Sequence, residues 1–120
     1  FLKEPIIIDS YFSENKKKHA DIVLGDCHGK SIGSNFVDFI ETQLQNSGLR
    51  IKRNSPYSGG YITENYGKPK ENKHTIQIEI NRSIYLNEKS REKNANFEEC
   101  KKVLSALINQ FEKNKLNLLS

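Results

Sequence analysis

The sequence is poor in several things at once. It holds two cysteines in 120 residues, Cys27 and Cys100, and neither belongs to a C-x-x-C pair. That excludes a disulfide-stapled scaffold and points to a reduced, cytoplasmic protein, although the residues alone leave a Cys27–Cys100 disulfide open. Long apolar runs are missing too. None exceeds three residues, the length of Ile6-Ile7-Ile8, against the roughly 18 residues that a membrane span needs. Arginine is scarce, with 4 among 19 basic residues, although base and phosphate recognition favours its fork. The formal charge of +4 is therefore expected of a solvated surface rather than a nucleic-acid partner. Lys16-Lys17-Lys18 is the one tight basic cluster. No charged-then-apolar leader opens the chain, and Phe1 stands where Met would, as in a piece of a longer protein. No repeat or sustained heptad is visible, so collagens and coiled coils are excluded as well.

What is present is a polar chain, 35% hydrophobic and 28% charged, of the size of one domain spanning residues 1–120. Ile6-Ile7-Ile8-Asp9 predicts a buried strand, and Ser10 to His19 an exposed loop. Ile22-Val23-Leu24 predicts a second strand, ended by Gly25-Asp26. Phe36, Val37, Phe39, Ile40 and Leu44 recur at helical spacing after the candidate caps Ser31, Ser34 and Asn35, and Gly48 stands where a helix would end. Residues 49–53 alternate like a half-exposed strand. Pro56, Gly59, Gly60, Gly67 and Pro69 make residues 54–72 a long irregular loop. Ile76, Ile78 and Ile80 alternate with Gln77, Glu79 and Asn81 in a further strand, and Phe97, Cys100, Leu104, Leu107, Ile108 and Phe111 predict a closing helix. The order β, β, α, β, loop, β, α implies an α/β layer with a largely parallel or mixed sheet and flanking helices.

Chemistry is expected on the polar face of the Ile76–Ile80 strand. Glu79 could act there as a general base on a water, or the face could simply be solvated. The loop offers a binding wall, because Gly59-Gly60 admits close backbone approach, while Asn54 and Tyr57 bring donors and acceptors. His19, His28 and His74 share no metal-ligand spacing. Asp26-Cys27-His28-Gly29-Lys30-Ser31 lacks the spacing of a phosphate-binding loop.

Three blocks carry a family likeness. They are Asp21-Ile22-Val23-Leu24-Gly25-Asp26 with Gly29 and Ser31; Asn54-Ser55-Pro56-Tyr57-Ser58-Gly59-Gly60-Tyr61-Ile62-Thr63 with Tyr66-Gly67-Lys68-Pro69; and His74-Thr75-Ile76-Gln77-Ile78-Glu79-Ile80-Asn81-Arg82 with Tyr85-Leu86. In this order they resemble the N-formylglutamate amidohydrolase family, in its C-terminal portion. The resemblance implies a zinc-carboxypeptidase-like fold and hydrolysis of the N-formyl amide of N-formyl-L-glutamate to formate and glutamate. It implies a water activated by zinc, with Glu79 as general base. Asn54 and Tyr57 would frame the substrate pocket, and Arg82 would balance a substrate carboxylate.

The likeness also has departures. A P-H-x-G-like segment, expected to carry metal ligands, is not in the chain. Tyr11 stands where the family's Asp-x-His-Ser segment has a zinc-binding His. Metal ligands are thus expected to be missing, and hydrolysis by this chain alone is not expected. The alternative is a non-enzymatic remnant that binds a small acidic ligand or a protein partner. Neither nucleic acid nor membrane is expected as a partner. An uncovered sheet edge could cause self-association.

Overall fold

The computed structural model describes residues 6–11, 20–55, 57–87, 92–93 and 96–118. Lys16–Lys18 and His19 lie outside them, as does the side chain of Tyr11. Four strands form one sheet in the order β1-β4-β2-β3: β1 (Ile6–Tyr11), β2 (Ile22–Gly25), β3 (Ile51–Arg53) and β4 (Ile76–Asn81). β4 is central, parallel to β1 and antiparallel to β2, while β2 and β3 run parallel. The sheet is therefore mixed. β1 also runs two residues further than the Ile6–Asp9 pattern implies, because its ladder with β4 continues until Tyr11 meets Asn81.

One face of the sheet holds the core. Ile22, Leu24, Ile76, Ile78 and Ile80 are buried against Phe36, Val37, Ile40 and Leu44 of α1 (Ser34–Asn46) and Leu107 and Phe111 of α3 (Phe97–Leu118). The rings of Phe36 and Phe111 lie 5.8 Å apart and tie the two helices together. Burying these side chains contributes about 1.5–3 kcal/mol each, before chain entropy is counted. Ile108, although on the helical pattern, is 44% exposed.

Helix α1 starts differently from the reading of its serines and Asn35. Its cap is Gly33, and no side chain of its own segment bonds there. The Gly33 amide instead donates to Nδ1 of His74 at 2.9 Å. The end is as expected: Gly48 takes φ +84 just past the last turn, where a glycine avoids the left-handed penalty. Residues 54–72 are less irregular than their proline and glycine content implies, since they include the short helix α2 (Tyr61–Tyr66) and a 3-10 turn (Pro69–Glu71). A small antiparallel pair, β5 (Leu86–Asn87) and β6 (Glu92–Lys93), was not legible in the sequence. Among the described residues, no helix is long and apolar enough to cross a membrane.

Candidate functional site

The opposite face of the sheet carries the polar groups. Side chains two apart on a strand share a face, so Gln77, Glu79 and Asn81 lie together. In the register, Val23 of β2 stands beside Glu79 and Gly25 beside Gln77. On β1, Asp9 pairs with Glu79. This face is not the solvated one that polarity alone would allow: Glu79 is 5% exposed and Asn81 1%. Gln77 Nε2 donates a hydrogen bond to Glu79 Oε1. Asn81 turns its Oδ1 to the Ser83 amide at 3.1 Å, which starts the 3-10 turn Arg82–Ile84. Arg82, half-buried, thus sits just past the C-terminal end of β4.

A second group of residues meets β4 near its N-terminal end, because β2 runs the other way. The turn after β2 is fixed by Asn54. Its Oδ1 accepts from the amides of Asp26 (3.1 Å) and His28 (3.3 Å), and its Nδ2 donates to Asp26 Oδ1 at 2.7 Å. The same Asp26 oxygen accepts from the Gly29 amide at 3.1 Å. Asn54 takes φ +62, which asparagine tolerates better than most residues. Residues 57–60 then cross the sheet at Gly25. A Cβ at Gly25 would lie 2.8 Å from both the Gly59 nitrogen and the Ser58 carbonyl carbon, so only glycine permits this approach. Gly59 itself has φ +126, and a Cβ there would run into Thr63 Oγ1. Gly60 comes next to Gln77: a Cβ there would lie 3.4 Å from Gln77 Oε1.

Thr63, buried on α2, anchors this wall. Its hydroxyl donates to the Gly60 carbonyl at 2.7 Å, and its own carbonyl accepts from Thr75 Oγ1 at 3.4 Å. Two hollows open in this region, the first of them against Thr63 itself. One of about 310 Å³ is lined by Cys27, His28, Lys30, Ser58, Thr63 and Glu64. The other, of about 480 Å³, shares Lys30 and adds Lys68 and Lys70. Tyr57, 39% exposed, stands on the loop that bounds this region.

The expected site residues are therefore distributed along β4 and the loop near its start rather than gathered at one point. Asn54 braces a turn, Tyr57 stands on the covering loop, Glu79 is buried mid-strand, and Arg82 lies at the far end of β4. Gln77 links Glu79 to the glycine pair, and Asp26 is the partner of Asn54. Neither role is visible from composition, although the period-two pattern already puts Gln77 and Glu79 on one face. His74 opens the strand but is occupied: Nδ1 accepts from Gly33, Nε2 pairs with Asn72 Oδ1 at 3.1 Å, and its ring lies 4.4 Å from that of Phe36. Burial pushes its pKa below the ordinary histidine value of 6.5. Burial likewise pushes the Cys100 thiol up. Cys27 and Cys100 are both free, not joined to each other.

Zinc ligation requires three or more suitable side chains converging. Among the described residues, no group of three or more His, Cys, Asp or Glu could hold a metal ion. The described residues thus do not form a zinc site.

Comparison with known proteins places this geometry. The sequence profile of N-formylglutamate amidohydrolase matches residues 6–86. The crystal structure of N-formylglutamate amidohydrolase from Ralstonia eutropha JMP134 superposes with a TM-score of 0.81 at 30% sequence identity. That alignment covers 88% of this chain and 42% of the Ralstonia chain, so this sequence spans less than half the length of that relative. No protein with a curated description matches. The matched residues include the Asn54 turn, the glycine-paired loop and the Glu79 strand, and the chain belongs to the N-formylglutamate amidohydrolase family.

Proposed function

We propose that this chain carries the general-base side of an amidohydrolase centre acting on N-formyl-L-glutamate. The observation that supports it most is Glu79, a carboxylate 5% exposed in the central strand with one oxygen held by Gln77. Family membership gives the reaction class.

In this reading Glu79 takes a proton from water as the water oxygen bonds to the formyl carbon. The C–N bond then breaks, and the proton passes to the departing amine nitrogen. The products are formate and L-glutamate. Arg82 pairs with a substrate carboxylate, for which its fork is suited. Asn54 acts by holding the Asp26–Gly29 turn, and Tyr57 closes the wall beside it. Zinc, which the family resemblance implies, has no ligand set among the described residues. The ligand is a small acidic amide; nucleic acid and membrane are not proposed as partners. Two free thiols support a reducing, cytoplasmic setting.

The test is hydrolysis of N-formyl-L-glutamate by the full chain, with and without added zinc, beside a binding titration with the same compound. Turnover that falls about a hundredfold or more in Glu79→Gln supports the base assignment. Binding without turnover, lost in Arg82→Ala, supports a ligand-binding descendant instead. Neither binding nor turnover overturns both readings.

A further inference from the structure

The polar strand face leaves one half-buried contact without a task. We propose that Gln77 is the positioning residue for Glu79: its side-chain amide gives one neutral hydrogen bond to the carboxylate, fixing its direction and keeping it ionised. The purpose of this contact rests on the general-base reading above; the contact itself rests on geometry.

The two side chains project from the same face of β4, two residues apart. The group that meets Glu79 Oε1 is the Nε2 amino group, a donor facing an acceptor. Gln77 Oε1 consequently points towards Gly60, where a Cβ would stand 3.4 Å away. Gln77 is enclosed on a second side as well. Its register partner on β2 is Gly25, and over Gly25 runs the backbone of Ser58 and Gly59. Gln77 itself is half-buried, with glycine backbone on two sides of it, and it holds a carboxylate that is buried.

The choice of glutamine has a chemical reason. Burial alone disfavours the charged form of a carboxylate. A lysine or arginine in the place of Gln77 would restore the charge but pair with it, and so weaken the base. A neutral amide favours ionisation while leaving the net negative charge in place. Asp9 holds the neighbouring register position on β1 and Val23 the one on β2. Both are common to wild type and variants, so a difference between them isolates Gln77.

The test is NMR titration of the full-length chain. In the wild type, the Gln77 side-chain amide resonances should shift with the same midpoint as the Glu79 carboxyl carbon. In Gln77→Met, which keeps length and loses the donor, that carboxyl midpoint should rise by roughly one pH unit. Gln77→Glu should raise it further, because it sets a second carboxylate beside the first. A Gln77 amide indifferent to the Glu79 titration overturns the proposal, as does an unmoved midpoint in a folded Gln77→Met. Should that variant not fold, the wild-type coupling decides alone. Coupling without hydrolysis leaves the positioning intact and removes the general-base reading. Glu79-dependent hydrolysis without coupling does the reverse.

Discussion

The side-chain amide of Asn54 clasps the start of the turn after β2 twice, with Nδ2 2.7 Å from Asp26 Oδ1 and Oδ1 3.1 Å from the Asp26 amide. Donor meets acceptor in both directions, and Asp26 is 4% exposed. Removing the Asn54 side chain takes the acceptor from the Asp26 and His28 amides and one donor from Asp26 Oδ1, at about 1–3 kcal/mol. Asn54→Ala should therefore lower stability by that amount in urea unfolding. Asn54→Asp should cost more at neutral pH, because it sets one carboxylate against another. The excess should shrink on acidification, since the folded variant can retain a shared proton that the unfolded chain releases. An Asn54→Asp penalty independent of pH would show that Asp26 is not the partner that matters.

The crossing of residues 57–60 over Gly25 makes a second prediction. Backbone atoms of Ser58 and Gly59 would face a new methyl at 2.8 Å, and unlike side-chain ends they cannot rotate away. Gly25→Ala should cost about 1–3 kcal/mol by overpacking. It should also speed hydrogen exchange at the Cys27 amide, whose bond to the Ser58 carbonyl (2.7 Å) holds the loop down. Gly60→Ala is the control. Its φ of −100° suits any residue and its nearest contact is 3.4 Å, so it should stay within about 0.5 kcal/mol of wild type. Equal effects of the two substitutions would mean that the loop is not seated on the sheet.

These two sites show where sequence was informative and where it was not. Helix α1 and strand β4 are legible because burial imposes its own period: Phe36, Val37, Ile40 and Leu44 at helical spacing, Ile76, Ile78 and Ile80 at every second residue. The antiparallel pairing of β2 with β4 is not legible, because strand order is decided by contacts between residues far apart in the chain. Helix α2 is hidden for another reason: only Thr63 of its residues is buried, so no apolar stripe marks it. The cap of α1 is missed because its partner, His74, comes from 41 positions further along. Alternation likewise tells that Glu79 shares a face with Gln77, but it cannot tell that this face is covered.

His74 itself supplies the last prediction. Its Nδ1 accepts from the Gly33 amide, so the folded form is the neutral ring with its proton on Nε2, facing Asn72 Oδ1. Protonating Nδ1 would set two donors against each other at the positive end of α1. Burial already holds its pKa below 6.5. As pH falls through 6.5, the unfolded chain takes up a proton that the folded chain does not, so stability declines. The decline ends only when the pH passes the lower, folded-state value. Stability from this residue is therefore complete above 6.5 and lost below it. His74→Asn keeps an acceptor for Gly33 but does not titrate. Urea unfolding at about pH 5.5 and about pH 7.5 should show the wild type losing more stability than His74→Asn between the two. Parallel losses in both proteins would assign the acid sensitivity to other groups and leave His74 a packing residue only.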